Sequence, residues 1–408
     1  MRKVRFAVVF DQVIHSGGGY QQALNLSLSV SKVSNEIANI KFYTTLKKNI
    51  HNLTEIGINA IYINLTPVEK FLIYSKTSPL ISSFMQPLQK ILKINCFEKI
   101  LLRHKVDLVY FVAPSRLAAD LDKLNYIFTM WDLCHRDHPE FPEVRFKNQF
   151  EIRELMYKNI LPKATTVIAE SQTSKKKLSL IYGIDEKRIK VIPLLPSPMI
   201  NNKCSNYENE KSLISKYQKL SPYVFYPAQF WPHKNHVFIL DGLKLLEDEF
   251  GIIVSAVFSG TNQGNLDYIL AYAKKLRINQ RIIFAGFVSS NELQFIYKNS
   301  LALVMPTYFG PSNIPPLEAF SMGVPVIYPN MPGSKEQLGN AYLSIDLTNP
   351  HSLKEHLKLL LEKENMRKLI IKNGYEILNK LNKTNSENFF EEILITFQRK
   401  MLCWDQPK

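Results

Sequence analysis

The sequence predicts an α/β protein with two doubly wound parallel sheets. Short runs of β-branched, aliphatic and aromatic residues alternate with helical stretches along the whole chain, and this alternation is typical of sheets covered by helices on both faces. Runs such as Tyr223–Tyr226 and Leu301–Met305 are almost continuously apolar, as expected of buried parallel strands. The length of 408 residues favours two domains rather than one.

The predicted strands divide into two groups. In the first half they are Val4–Phe10, Ile40–Thr44, Ile61–Asn64, Leu108–Val112, Ile127–Trp131 and Thr166–Ala169. In the second half they are Tyr223–Tyr226, Ile252–Ser259, Arg281–Ala285, Leu301–Met305 and Pro325–Tyr328. The intervening segment Val191–Ser212 is rich in Pro, Asn and Ser, which favours a linker. We predict a first domain at 1–198, a linker at 199–212, a second domain at 213–385 and a C-terminal helix at 386–408, whose return to the first domain is one option.

Composition limits the function classes. The net charge is +15, and residues 1–200 carry 28 basic against 17 acidic side chains. A basic first half indicates an anionic partner, such as a phosphorylated substrate or acidic lipid, although a solvated basic surface explains it equally well. No RNA-recognition signature is present, so we expect no nucleic acid. The four cysteines contain no CxxC pair, which argues for a reducing compartment and against a zinc site.

The N-terminus is predicted to be a strand rather than a secretion signal. "MRKVRFAVVFDQ" has a short apolar run and no small-residue cleavage site. No apolar run in the sequence reaches the roughly 18 residues of a membrane span. We therefore expect a cytoplasmic protein, with the inner face of the membrane as an alternative location.

Three segments carry residues suited to a phosphorylated ligand. Gly17, Gly18 and Gly19 lie between the first strand and a helix predicted from Tyr20, where backbone N–H groups can approach an anion, although a flexible loop is the alternative. In "PAQFWPHKNH", Lys234 follows a strand end and can meet phosphate oxygens, and a merely solvated lysine is the alternative. In "IFAGFVSSNEL", Ser289 or Ser290 is predicted to cap a helix. The backbone at this strand end can hydrogen-bond the edge of a nucleotide base, and a simple turn between strand and helix is the alternative.

The stretch "TYFGPSNIPPLEAFSMGVPVI", Thr307 to Ile327, holds one carboxylate. Pro315 and Pro316 are predicted to begin a helix, which places Glu318 in its first turn. An ionised carboxylate at that place can accept hydrogen bonds from vicinal hydroxyls such as those of a ribose. A helix-start acid without a ligand is the alternative.

Together these segments resemble the retaining glycosyltransferases of family 4, most strongly from Tyr223 to Asp346 and most clearly in "FSGTNQGNLDYILAYAKKL" and "RIIFAGFVSSNEL". The resemblance implies the GT-B fold, in which two Rossmann-like domains face a central cleft, and a nucleotide-diphosphate sugar as donor substrate. It implies catalytic roles for Lys234, Glu318 and Asp132, with Lys234 on the diphosphate and Glu318 on the ribose. The donor-binding residues it implies are Gly17, Gly18, Gly19, Gln229, Lys234, Gly260, Phe287, Val288, Ser312, Asn313, Ile314 and Glu318.

Three positions depart from the family pattern. Gly310 stands where a first glutamate, eight residues before Glu318, normally touches the donor sugar, so Ser312 and Asn313 are the polar groups available there. Gln229 replaces an arginine near the diphosphate, and Trp131 replaces the histidine before Asp132. We expect His135 and His138 to be loop residues that do not inherit the missing role.

The resemblance also implies a mechanism and an acceptor class. Sugar transfer would proceed by same-face attack with retention of configuration, and with no Asp-x-Asp motif near either cleft loop we predict no cofactor and no essential metal. The acceptor is expected to be a glycan or lipid-linked molecule of bacterial surface polysaccharide or lipopolysaccharide synthesis. A GT-B sugar-nucleotide epimerase or phosphorylase, and a non-catalytic sugar-nucleotide binder, are the alternatives.

A basic apolar segment suggests contact with an anionic membrane. In Ser78–Lys105, four apolar residues are predicted to share a helical face opposite Lys90 and Lys93. They are Phe84, Leu88, Ile91 and Leu92. An amphipathic helix packed on its own sheet is the alternative.

Overall fold

A computed structural model describes residues 2–13, 17–91, 94–197, 200, 210–310, 312–383 and 386–404. The chain forms two compact units. Unit 1 comprises Met1–Pro139, Val144–Pro193 and Asn385–Lys408, and unit 2 comprises Glu140–Glu143 and Leu194–Thr384. The short segment Glu140–Glu143 therefore groups with the second half of the chain, and the C-terminal residues group with the first half.

Unit 1 is built on a seven-stranded parallel sheet with the order β3-β2-β1-β4-β5-β6-β7. Its strands are β1 Val4–Val9, β2 Ala38–Thr44, β3 Ala60–Tyr62, β4 Leu108–Phe111, β5 Asn125–Thr129, β6 Thr166–Ala169 and β7 Ile189–Val191. Buried apolar clusters lie on both faces of this sheet. Burial on both faces explains why the central strands lack polar alternation.

The described helices of unit 1 pack on both sides of its sheet. They are α1 Gly18–Ser31, α2 Lys48–Glu55, α3 Pro67–Ser75, α4 Ser82–Ile91, α5 Cys96–Arg103, α6 Cys134–Asp137, α7 Pro142–Arg145, α8 Gln149–Ile160 and α9 Gln172–Tyr182, where α7 begins in the segment assigned to unit 2. The C-terminal helix, Ser386–Lys400, packs beside α1. Phe390 of this helix is buried against Tyr110 of β4, with ring centroids 5.2 Å apart.

Unit 2 is built on a six-stranded parallel sheet with the order β10-β9-β8-β11-β12-β13. Its strands are β8 Tyr223–Pro227, β9 Ser255–Ser259, β10 Ile282–Gly286, β11 Ala302–Val304, β12 Val326–Pro329 and β13 Tyr342–Ile345. Its described helices are α10 Glu210–Tyr217, α11 His236–Phe250, α12 Leu266–Lys275, α13 Ser290–Asn299, α14 Ile314–Ser321, α15 Ser334–Leu338, α16 His351–Glu362 and α17 Glu364–Lys383; we number the C-terminal helix α18.

The predicted doubly wound α/β class is confirmed, and two strands were missed. β7 and β13 each lie at an edge of their sheet and are only partly buried. An edge strand pairs with a neighbouring strand on one side only and is less buried, and in these two strands Lys190 and Ser344 interrupt the apolar runs that marked the other strands. The predicted helix from Tyr20 begins two residues earlier, at Gly18.

Two further segments differ from their predicted form. The linker predicted at 199–212 falls mostly outside the described residues, and its end is helical, since α10 begins at Glu210. The apolar segment Ser78–Lys105 forms two helices, α4 and α5, rather than one. Leu92 and Lys93 of that segment lie outside the described residues. Across the part of the chain that the structure describes, no helix is long and apolar enough to cross a membrane.

Candidate functional site

The strand order of unit 2 creates a crevice position beside β8. The strand β8 lies between β9 and β11 in the sheet. Along the chain, β8 is followed by β9 and β10 on one side of it and then by β11 to β13 on the other side, so the strand order reverses at β8. Ligands of open α/β sheets bind at such switch points, outside the carboxyl ends of the strands. The loop after β8 and the loop after β11 both start there, and they carry Gln229, Lys234 and the residues before Glu318.

The loop after β8 holds its polar residues on a short turn. Pro232–Lys234 form one turn of 3-10 helix, and Asn235 in the left-handed conformation leads into α11. Lys234 is half-buried, and its N–H donates to the Trp231 carbonyl at 3.1 Å. Gln229 Oε1 accepts a hydrogen bond from the Trp231 indole at 3.0 Å. Gln229 thus braces the loop on which Lys234 stands.

Gly260, at the end of β9, allows this loop to lie close to the sheet. A Cβ atom on Gly260 would be 2.3 Å from the Ala228 carbonyl oxygen and 2.8 Å from the Gln229 nitrogen. Both contacts are shorter than real Cβ atoms make, so a side chain here would displace the main chain before Lys234. The close packing of this loop therefore requires glycine at position 260, and the donor-binding role of Gly260 stays a prediction.

His233 and Glu143 join the two loops, and sequence reasoning missed both. Glu143 Oε1 accepts the main-chain N–H of His233 at 3.1 Å and lies 2.5 Å from its Nδ1. The ring of His233 stacks on Phe309 with centroids 4.0 Å apart, and its carbonyl accepts the Tyr308 N–H at 2.9 Å. Burial opposes ionisation of Glu143, but the hydrogen bonds from His233 outweigh it and lower the pKa of that carboxyl. A separation of 90 residues left no local signal for this pair.

The segment after Phe309 is held by the amide of Asn313. Its Nδ2 donates to the carbonyls of Phe309 and Gly310, at 3.3 and 3.2 Å, and to the Tyr328 hydroxyl at 2.6 Å. Gln337 of α15 clamps the Asn313 main chain, accepting its N–H at 2.9 Å and donating to its carbonyl at 2.7 Å. Asn313 Nδ2 is thus already satisfied by protein groups.

Gly310 has no room for the acid that the family pattern places there. Its φ is +95°, a conformation that L side chains rarely adopt. A Cβ atom on Gly310 would be 2.7 Å from Asn313 Nδ2. The glycine at position 310 therefore leaves the space that the Asn313 side chain needs for its hydrogen bonds.

Glu318 is a buried carboxylate with one oxygen held by a phenol. The helix α14 begins at Ile314, with Asn313 as its N-cap, so Glu318 lies in the second turn and the predicted first-turn position is wrong. Its side chain accepts a hydrogen bond from the Tyr297 O–H at Oε2, 3.0 Å away. The residue is only 7% exposed, and burial raises its pKa to about 7 although the Tyr297 bond opposes this.

The second oxygen of Glu318 remains available. Within the described residues no hydrogen bond reaches Oε1. This atom is also not one of the unpartnered oxygens that are sealed from solvent. A carboxylate oxygen that is open at the end of a buried side chain is positioned to accept a hydrogen bond from a ligand.

The other predicted residues of unit 2 lie around these loops. Ser312 is buried, and its hydroxyl has no hydrogen-bond partner in the described chain. Ile314 is buried at the first position of α14. Phe287 and Val288 follow β10, where Phe287 is 65% exposed, and Ser289 caps α13 by accepting the Glu292 N–H. Of the two serines predicted as caps, the structure selects Ser289.

Gly17, Gly18 and Gly19 lie at the start of α1 in unit 1. Gly17 is the N-cap, with φ +81°, and the other two form the first turn. The ring of Trp131 covers Gly19 so closely that a Cβ there would lie 2.4 Å from its Cη2. The Trp131 ring therefore fits at this place because residue 19 is a glycine.

Asp132 follows Trp131 after β5. Its Oδ1 accepts the Cys134 N–H at 2.9 Å and lies 3.9 Å from Arg153. The expectation of a loop residue is wrong for His135, which lies in α6, fully buried, with Nε2 2.8 Å from Glu154. This pairing makes His135 a structural residue, in keeping with the expectation that it does not take over the missing role.

The structure thus gathers one group of predicted residues in each unit. Unit 2 holds the larger group, from Gln229 to Glu318, and unit 1 holds Gly17–Gly19 and Asp132. Among the described residues, no cluster of three or more His, Cys, Asp or Glu side chains could hold a metal ion.

Comparison with known proteins gives a family match for part of the chain. Residues 209–377 match the family model described as glycosyl transferases group 1. This range contains Gln229, Lys234, Gly310, Glu318 and the Gln337 clamp.

Two curated relatives align with parts of the chain. The O-antigen chain mannosyltransferase RfbU of Salmonella typhimurium is 27% identical over 195 residues, which cover 47% of this chain and 50% of that protein. The chain thus aligns with half the length of this relative. The O-antigen chain mannosyltransferase B of Escherichia coli is 23% identical over 286 residues, 67% of this chain and 70% of the relative.

A solved structure matches over nearly the whole chain. It is the HepE protein of Anabaena in complex with UDP-glucose, at a TM-score of 0.67 and 15% identity, covering 97% of this chain and 99% of that one. At this identity the likeness shows the fold. The predicted GT-B fold is confirmed, and residues 209–377, which match the glycosyl transferases group 1 model, include Glu318.

Proposed function

We propose that the protein is a retaining glycosyltransferase of family 4 that moves a sugar from a nucleotide-diphosphate sugar to a glycan or lipid-linked acceptor. The observation that carries this proposal is Glu318, a buried carboxylate with one oxygen held by Tyr297 and the other open. The O-antigen relatives support a role in bacterial cell-surface polysaccharide or lipopolysaccharide synthesis.

Glu318 is difficult to explain by stability alone. Burial disfavours its charged form, so near neutral pH the folded state bears the cost of ionising it. Perturbed carboxyls of this kind cluster at functional sites. An ionised Glu318 would accept hydrogen bonds from the vicinal hydroxyls of a ribose, which is the role that the resemblance assigns to it.

Lys234 supplies the charge chemistry of the proposed reaction. When the glycosidic bond breaks, negative charge grows on the leaving diphosphate, and a nearby ammonium stabilises that charge. The turn that bears Lys234 is fixed by the hydrogen bonds of the His233 carbonyl and N–H. It is also fixed by the hydrogen bond that the Gln229 side chain accepts from the Trp231 indole. We propose that this stabilisation needs no essential metal or other cofactor. Gly17–Gly19 and Asp132 retain the roles predicted from the sequence.

A nucleotide panel tests the proposal directly. We expect UDP, GDP, dTDP or ADP, or one of their sugars, to raise the melting temperature of the wild-type protein. Lys234→Ala is expected to lower turnover more than donor affinity, because the leaving-group charge is greatest in the transition state. Lys274→Ala, at an exposed lysine of the same unit, is the matched control and should change neither.

Two outcomes would count against this assignment. No shift with any nucleotide would favour a protein that does not use a sugar nucleotide. If chromatography of the products shows that the free sugar nucleotide is converted without an acceptor, the protein is an epimerase or phosphorylase instead.

We also propose that α4 rests on an anionic membrane surface at the cytoplasmic face. Its predicted apolar face is exposed rather than packed on the sheet: Phe84 is 75% and Ile91 77% exposed, and Leu88 is exposed as well. The next helix carries the exposed bases Lys99 and Arg103. Apolar residues beside basic ones are suited to anionic lipid, where each base near the surface contributes about 1 kcal/mol.

Vesicle sedimentation tests this surface. We expect the wild-type protein to sediment with vesicles containing phosphatidylglycerol, and Phe84→Ser with Ile91→Ser to abolish most of that binding, since the apolar contact is lost. Leu180→Ser, which changes an exposed leucine on α9, serves as the control. Equal sedimentation of all three proteins would show that α4 does not contact lipid.

A further inference from the structure

Tyr297 lies fully buried between the sheet of unit 2 and Glu318. It belongs to α13, and its ring meets Phe225 of β8 edge-on with centroids 4.8 Å apart. This packing leaves the phenol little freedom to move. The hydroxyl lies 3.0 Å from Glu318 Oε2 and 3.4 Å from the Pro315 carbonyl, so it reaches both the start and the second turn of α14.

We propose that Tyr297 is a positioning residue for the donor nucleotide: its O–H holds Glu318 Oε2 and directs Oε1 toward the ligand. This inference rests on the proposed function. The Tyr297 O–H donates the hydrogen bond and the Glu318 carboxylate accepts it, so this bond is strongest when Glu318 is ionised. Tyr297 therefore favours the charged form that a ribose diol requires, in surroundings that otherwise oppose it.

The electrostatic surroundings of Glu318 are simple enough to test. Burial raises the pKa of Glu318, and the hydrogen bond from Tyr297 is the opposing influence. Tyr297 has its own pKa raised by burial and by Glu318, so it stays a neutral donor. Among the described residues, no other titratable side chain makes a hydrogen bond or charge interaction with Glu318. The pH dependence of ligand binding should consequently report on this one contact.

The test is Tyr297→Phe, which keeps the ring packed on Phe225 and removes only the hydroxyl. Dissociation constants for UDP and GDP are measured by calorimetry from pH 6 to pH 9. In the wild-type protein we expect affinity to rise with pH, with a midpoint near that of Glu318. In Tyr297→Phe the midpoint should move upward by about one pH unit, because loss of the hydrogen bond disfavours the charged form. Near pH 7 this corresponds to roughly fivefold weaker binding.

Tyr223→Phe is the matched control. The Tyr223 hydroxyl is also buried and donates to the carbonyl of Ile296, the residue before Tyr297, at 2.9 Å. This variant loses one buried phenol bond to the same helix without touching Glu318. We expect it to lower stability and to leave the midpoint unchanged.

The outcomes separate this inference from the proposed function. An upward midpoint shift in Tyr297→Phe alone supports the positioning role. If Glu318→Gln weakens nucleotide binding and Tyr297→Phe leaves the midpoint in place, the positioning role is overturned and the proposed function stands. If Glu318→Gln leaves binding unchanged, or the wild-type protein binds neither nucleotide, the proposed donor site is overturned together with this inference.

Discussion

Glu318→Gln is expected to stabilise the protein by about 3 kcal/mol at pH 8 while it impairs donor binding. Burial raises the pKa of this carboxyl from 4.5 to about 7. A raised folded-state pKa contributes stability that is fully present below pH 4.5 and is lost as the pH rises through 7. Glutamine is neutral at every pH and keeps an acceptor for Tyr297, so the variant does not undergo that loss. The same change removes a charge-assisted bond of about 1.5–3 kcal/mol to the proposed ribose.

Urea unfolding at several pH values measures the first effect. The stability difference between Glu318→Gln and wild type should be small at pH 4.5 and grow steadily to pH 8. Donor titrations measure the second effect, which corresponds to about 10- to 150-fold weaker binding. Glu292→Gln, at a partly buried carboxyl that pairs with Lys216, controls for general effects of removing a negative charge from unit 2. A variant that is no more stable at pH 8, yet binds normally, would show that Glu318 neither has a raised pKa nor contacts the donor.

The sequence was informative about the helix that carries Glu318, because the signals for that helix are local. The prolines and small residues around it predicted a helix, and that helix is present as α14. The turn in which Glu318 lies was misplaced, because Ile314 rather than Pro315 is the first helical residue. Tyr297 could not be predicted as its partner, since the contact joins two different helices and depends on how α13 packs over β8.

The loop network shows the same limit at longer range. The sequence identifies Gly310 as a departure and Asn313 as an available polar group, but nothing local indicates that the Asn313 amide closes the loop or that Gln337 clamps it. The Glu143–His233 contact is still more distant along the chain. Such polar contacts are specified by tertiary packing, whereas the periodicity that predicts strands is a property of the strand itself.

The fold could be predicted because most strands are buried, and the errors of this prediction lie at the strands that are least buried. The central strands β1, β4, β8 and β11 are nearly all apolar because helices cover both faces. The missed strands β7 and β13 are at the sheet edges. The exposed face of α4 has an apolar pattern like that of a buried helix, so only the structure shows that this face is exposed rather than packed.

The protein is expected to lose less stability between pH 7 and pH 5 when His236 is replaced by leucine. The free energy of unfolding of His236→Leu should fall by about 2 kcal/mol less over this range than that of the wild type. His236 is fully buried at the start of α11, beside the rings of Tyr226, Phe230 and Phe258, and neither ring nitrogen has a hydrogen-bond partner among the described residues. Burial, with smaller contributions from the charges of Lys234 and His233, lowers its pKa from 6.5 to about 3. Because the unfolded chain takes up the proton first, this histidine stabilises the fold above pH 6.5 and loses that contribution as the pH falls toward 3. Leucine cannot titrate, and any change in packing affects both pH values alike, so the difference in unfolding free energy between pH 7 and pH 5 isolates the effect. His51→Leu, at an exposed histidine of unit 1, should leave that difference as in the wild type. An unchanged difference in His236→Leu would mean that the side chain is protonated, or reaches water, in the folded protein.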